Sequence, residues 1–287
     1  MHHTRIGWHF LSCVLVACTA ATVPPSGQPA PSPSLPGPMP VPPVSGPWTF
    51  NYAAGTVSYD ISRSATIESQ SDSVDHREVS TNSTHESLML GQAGDTIHFT
   101  AIVDTFSTTT QGMIGAVQPV QLPVRFSGSF ASDSLIIASD STGTKCDPVS
   151  SALATDLQNL LVRVPAQLTQ GSSWRDSVES TGCQGNIPTI AHTTRSYTVT
   201  GETSYLGYPV LALQRTDTIQ AHGDGAQQQH RVIFDASGSG NAVYYLSPKD
   251  GQIVRLTTGQ ELNLTITASG KINHFKQSSK QDFNLAR

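Results

Sequence analysis

Chemistry in this chain would fall first to its thiols, imidazoles and carboxylates. The four cysteines are Cys13, Cys18, Cys146 and Cys183. No two form Cys-x-x-Cys, the arrangement of a catalytic dithiol. Beyond the N-terminal region the histidines are His76, His85, His98, His192, His222, His230 and His274. None forms His-x-His, His-Glu-x-x-His or a Cys/His set with zinc spacing. His76, His85 and His98 could converge only on neighbouring strands without a bulge. No metal and no other cofactor is therefore expected. Ser237-Gly238-Ser239-Gly240 comes nearest to a nucleophile elbow, but no helix follows it, and it reads as a turn. His222-Gly223-Asp224-Gly225 offers too few oxygens for calcium and also reads as a turn. No glycine-rich phosphate loop opens a helix. Carboxylates are scattered, and spacing alone assigns no glycosidase pair. The chain is read as a non-enzyme with no catalytic residue nominated.

The elements that would position any site begin after a long preamble. Arg5 precedes an apolar run, Phe10 to Ala17, as long as the core of a signal peptide and too short to cross a bilayer. The run ends in Leu15-Val16-Ala17-Cys18. This resembles the lipobox of bacterial lipoproteins. The resemblance implies that residues 1–17 are a signal peptide and that Cys18 is lipidated and opens the mature chain. Two or more acyl chains anchor a protein stably, where one does not. Thr19 departs from the Asp of inner-membrane retention, which favours the outer membrane over the inner. The alternative is an ordinary signal peptide cleaved near Ala20-Ala21, with Cys18 incidental.

With Cys13 removed and Cys18 lipidated, Cys146 and Cys183 remain. An exported compartment is oxidising, so a Cys146–Cys183 disulfide is expected. It would close a loop of about 37 residues, worth roughly 4 kcal/mol in the chain-entropy description. The alternative is two buried thiols.

Residues 24–47 hold 11 of the 18 prolines, and no Asp, Glu, Lys or Arg stands between Arg5 and Asp60. Such a segment buries no core and favours polyproline II, reaching at most roughly 75 Å at about 3.1 Å per residue. Residues 18–47 are thus read as a lipidated cysteine and a proline-rich tether. Residues 48–287 are read as a single β domain.

That domain is poor in charge. Charged residues are 13% of the chain, hydrophobic residues 37%, and the formal charge is -5, so no basic surface for nucleic acid is expected. Period-two alternation runs through Thr96–Val103, Val210–Ile219 and Glu261–Ala268. Further candidate strands are 56–67, 77–81, 86–90, 122–130, 134–138, 174–179, 190–200, 229–235 and 241–246, about a dozen in all. Turn chemistry marks 92–95, 204–207 and 248–251. Alternation with one polar face indicates antiparallel sheets with one wet face.

One helix interrupts the strands. Asp147 suits the N-cap and Pro148 the first turn. Val149, Leu153, Leu157, Leu160, Leu161 and Val164 form one apolar stripe, and Pro165 ends it. The expected helix spans about 148–164 and covers the sheet incompletely. Residues 111–122 are small and apolar, a candidate lid at the mouth of the sheet.

A curved antiparallel sheet or half-open β-barrel with one covering helix is thus the expected fold. The domain resembles, more weakly and in element pattern only, the lipoprotein-carrier fold, which has more helix. The resemblance implies a non-enzymatic module holding an apolar ligand or lipid in its concavity. A structural or protein-interaction lipoprotein without a cavity stays open, as does an envelope hydrolase. The partner expected in each case is the membrane, through Cys18.

Overall fold

The computed structural model describes residues 46–70, 77–93, 96–111, 121–131, 135–139, 148–184, 187–227 and 230–286. The signal region, Cys18, most of the tether, Cys146 and residues 112–120 lie outside the described residues. The described fold belongs to one compact unit, Pro40–Arg287.

The strands are β1 (Trp48–Thr49), β2 (Gly55–Ser69), β3 (Arg77–Ala93), β4 (Thr96–Gln111), β5 (Val124–Phe130) and β6 (Leu135–Ser139). Helix α1 (Pro148–Leu160) follows. Then come β7 (Gln167–Leu168), β8 (Ser173–Gln184), β9 (Ile187–Tyr205), β10 (Tyr208–Gln227), β11 (His230–Leu246), β12 (Ile253–Ala268) and β13 (Lys271–Leu285). Eleven strands form one curled antiparallel half-barrel sheet in the order β6-β5-β4-β3-β2-β13-β12-β11-β10-β9-β8, and β1 pairs β7 separately.

That order has a simple logic. Within the eleven-stranded sheet, strands consecutive in sequence are neighbours from β2 to β6 and from β8 to β13, and the last strand, β13, pairs with the first long one, β2. The circuit is broken at one place, between β6 and β8, where α1 and β7 intervene. The curled sheet therefore has one open seam, and the chain inserts its helix there. Bulges at His85/Glu86, Ala212/Leu213 and Tyr245/Leu246 add local twist and bend the strands.

Alternation places Tyr59, Ile61, Leu88, Phe99, Val103, Tyr197, Leu213, Tyr244, Leu256 and Phe283 in the buried core. Leu206-Gly207 and Ser269-Gly270 carry left-handed φ values of 50 and 84, and 50 and 78. These two-residue turns match the twist of the strands they join.

Four expectations need correction. The strands are longer than their apolar cores suggest: 77–81 and 86–90 are both parts of β3. Ser237-Gly238-Ser239-Gly240 is not a turn but the middle of β11. A Cβ on Gly238 would lie 2.0 Å from the Glu261 carbonyl oxygen, so glycine here serves close strand approach. His222-Gly223-Asp224-Gly225 likewise lies within β10, where a Cβ on Gly223 would stand 2.7 Å from the Pro188 carbonyl oxygen.

The helix also ends earlier than expected, at Leu160 rather than near 164. Pro165 disfavours helical geometry at residue 164. Leu161 and Val162 then run on as buried core residues. The Tyr52 hydroxyl donates to the Val162 carbonyl at 2.8 Å and accepts from the Val162 amide at 3.0 Å. A side chain thus satisfies backbone groups that the helix has released.

Candidate binding groove at the open seam

Two kinds of contact seat α1 in the concavity. The apolar kind is Leu153, Leu157, Leu160 and Leu161, each at most 2% exposed. The polar kind is a belt across the inward face of the sheet. Arg63 on β2, Gln281 on β13, Thr258 on β12, Arg215 on β10 and Tyr197 on β9 follow one another through the register. Arg63 pairs with Asp156 of α1 and donates to the Ala152 carbonyl at 3.4 Å. The Gln281 amide donates to Asp156 at 3.2 Å. Arg215 donates to Asn159 of α1 at 3.1 Å, to Asp217 at 2.8 Å and to the Tyr244 hydroxyl. Arg195 donates to the Gln158 carbonyl at 3.1 Å. The helix is thus held by directional bonds as well as by area, which fixes its rotation and height in the seam.

Glu86 is the odd member of this interior. It is 0% exposed, and neither carboxylate oxygen has a hydrogen-bond partner among the described residues. Burial, and then the Asp156 carboxylate, push its proton affinity well above the usual carboxylate range. The folded state therefore holds a proton that the unfolded chain gives up. The stability tied to that proton is whole below the unfolded value of about 4.3. It is lost as pH rises towards the folded value, by up to about 1.4 kcal/mol per pH unit. Glu86→Gln removes the titration. Urea midpoints of the variant are expected to exceed wild type at pH 8 and to match it near pH 4. A variant weaker than wild type at pH 8 would contradict a protonated, partnerless Glu86.

The seam leaves a groove of about 930 Å³ beside the helix. Its apolar wall is Phe126 on β5 with Leu135, Ile136 and Ile137 on β6. Ser151, Ala154 and Gln158 of α1 line it from the helix side, and residues 179–183 of β8 with Pro188, Thr189 and Ile190 of β9 form the opposite wall. Ile136 is 62% exposed and Ile190 47% exposed, so both walls offer apolar surface to whatever enters. Glu179 and His222 line its polar side, and each is paired outside the lining, Glu179 with His192 at 3.3 Å and His222 with Asp235 at 2.8 Å. The groove can hold an apolar chain along β5–β6 and a polar end against β8–β10.

Of the residues singled out from sequence, Cys183 lies on β8 and lines this groove. Cys18 and its expected lipid, and Cys146, lie outside the described residues. His85 and His98 do not meet: the register sets His85 opposite Thr105 and His98 opposite Gly91. Among the described residues, no three of His, Cys, Asp or Glu come together as metal ligands. No described helix is long and apolar enough to cross a membrane. The polar belt escaped sequence reasoning. Its signal was the interruption of the inward parity by Arg215 and Asp217 in β10.

No family model matches the chain, and no curated protein does. Solved structures share a fraction of its path. One comes from work on "Asymmetric conductivity of engineered proteins", at 7% identity and a TM-score of 0.22, covering 80% of this chain and 100% of that one. Another is the translocator domain of autotransporter NalP from Neisseria meningitidis, at 9% identity and a TM-score of 0.19, covering 80% of this chain and 88% of that one. At those scores neither likeness carries an argument.

Proposed function

We propose that this chain is a cell-envelope lipoprotein whose β domain binds an apolar ligand or lipid without chemistry. The observation that carries the reading is the open seam, where a sheet that could have closed by pairing β6 with β8 keeps an apolar-walled groove instead. Half-open barrels offer concave, largely preformed sites of this size. The anchor in this reading is Cys18, and residues 18–47 hold the domain off the bilayer. The outer membrane is its place rather than the inner. A disulfide from Cys183 to Cys146 would pin the segment before α1 beside the groove.

The test is native mass spectrometry of residues 48–287, exported to the periplasm and purified without detergent. The expected result is a reproducible added mass that extracts into organic solvent. A bare polypeptide mass would overturn the carrier reading and favour a scaffold that uses its surface alone.

A further inference from the structure

The end of the half-barrel where the chain enters carries the most exposed large apolar side chain among the described residues. Leu206, in the turn between β9 and β10, is 68% exposed, and Tyr208, two residues on, is 58% exposed. Both line a hollow of about 540 Å³, whose other wall is the turn between β11 and β12 with Pro248, Lys249 and Asp250. Three observations mark this end as a contact surface.

The first is a misfit between residue and place. Leu206 holds a left-handed φ of 50. Asn, Asp or Gly adopts that conformation at less cost and suits water better. Turn geometry and solvent both disfavour leucine here, so its gain lies in a contact that the folded domain does not itself supply. The second is an aromatic layer behind the tip. Tyr205 stacks on Tyr245 with ring centroids 5.3 Å apart, and the Arg255 guanidinium lies 5.7 Å over the Tyr205 ring. Arg255 is paired in turn with Asp282 at 2.8 Å. The third is charge. Lys249 is exposed at the rim. Asp250, the one carboxylate among the described lining residues, accepts from the Gln252 amide at 3.2 Å. On a chain of net charge -5, this face carries no net negative charge.

We propose that this face docks on the bilayer that holds the anchor. Leu206 enters the upper acyl region, Tyr205 and Tyr208 lie at the headgroups, and Lys249 meets lipid phosphates. The inference rests on the Cys18 anchor proposed above. The chain leading from that anchor reaches the fold at this end. The Ala53 amide donates to the Asp250 carbonyl at 3.1 Å, and the Asn51 carbonyl packs against Gly251 too closely for a Cβ. A protruding apolar tip, tyrosines behind it and a cation at the rim are the side chains that a membrane interface selects. Two exposed apolar side chains are too few for the core of a stable protein interface, which buries about 800 Å² on each side. A tethered domain needs only a weak contact, because the anchor keeps it near the surface. Residues 18–47 then set how far the domain can leave the bilayer, and Leu206 sets where it returns.

The test is tryptophan fluorescence of the full chain, as processed on export, in phosphatidylethanolamine–phosphatidylglycerol vesicles with and without bromine on the acyl chains. Leu206→Trp and Ile272→Trp are compared with the background of native tryptophans. Ile272 is exposed to a similar degree, 61%, but lies beside the β12–β13 turn at the opposite end. Leu206→Trp is expected to add emission that is lost to brominated lipid, and Ile272→Trp to add emission that is not. Tyr208→Trp serves as a second reporter should Leu206→Trp disturb its turn, and the same loss is expected. No loss at either Leu206→Trp or Tyr208→Trp, or equal loss at Ile272→Trp, in a chain that floats with the vesicles would overturn the docking face and leave the anchor standing. A wild-type chain that does not float with them would remove the anchor, and the docking face with it.

Discussion

Replacing Arg215 by leucine is expected to destabilise the fold by about 3–5 kcal/mol, the cost of removing one partner of a buried ion pair. Arg215 is 4% exposed and Asp217 8% exposed. The guanidinium serves Asp217, Asn159 and the Tyr244 hydroxyl together. Its loss leaves a buried carboxylate uncompensated and frees α1 from β10 in one step. Equilibrium urea unfolding reads the change. The double variant Arg215→Leu with Asp217→Leu should recover much of the loss, because no lone charge is then buried. A loss below about 1 kcal/mol for Arg215→Leu alone would mean that water reaches the belt and the helix is not held by it.

Leu157→Ala is the second large effect. Leu157 is 0% exposed at the middle of the apolar stripe of α1, packed in the main core. Truncation is expected to cost about 2–5 kcal/mol, the range for a buried leucine that leaves a cavity. The same urea experiment measures it. A cost under about 1 kcal/mol would place α1 on the surface of the half-barrel rather than inside it. Together the two variants separate what holds the helix: area in one case, direction in the other.

How much of this was legible in sequence varies with what faces inward. Strands such as Thr96–Val103, with Phe99, Ala101 and Val103 buried, announce themselves, because apolar parity reflects burial directly. Strand β13 does not. Its inward residues include Gln277, Ser279 and Gln281 beside Phe275 and Phe283. The parity is intact, but half of it is polar because Gln281 serves Asp156 of the helix. The same cause hides the belt. A residue that faces inward to bond a helix looks, in sequence, like one that faces water.

Glycine misled for a related reason. Gly238 and Gly223 read as turn residues, yet each sits where another backbone comes too close for a Cβ. The helix itself was legible from its stripe, and so was the half-barrel class. The seam was not. It follows from strand order, which depends on β13 finding β2 across more than two hundred residues, and no local pattern encodes that pairing.

The central claim is that the groove between β6 and β8 is a binding site for apolar chains. Titration of a fluorescent long-chain fatty acid into wild type and Ile136→Glu tests it most directly. Ile136 lines the groove and is largely exposed, so a carboxylate there spares the core and spoils only the apolar wall. Saturable binding to wild type, weakened at least about tenfold in the variant, is the result predicted from the cost of desolvating a charge against an acyl chain. No saturable binding to wild type, or equal binding to both, would contradict it.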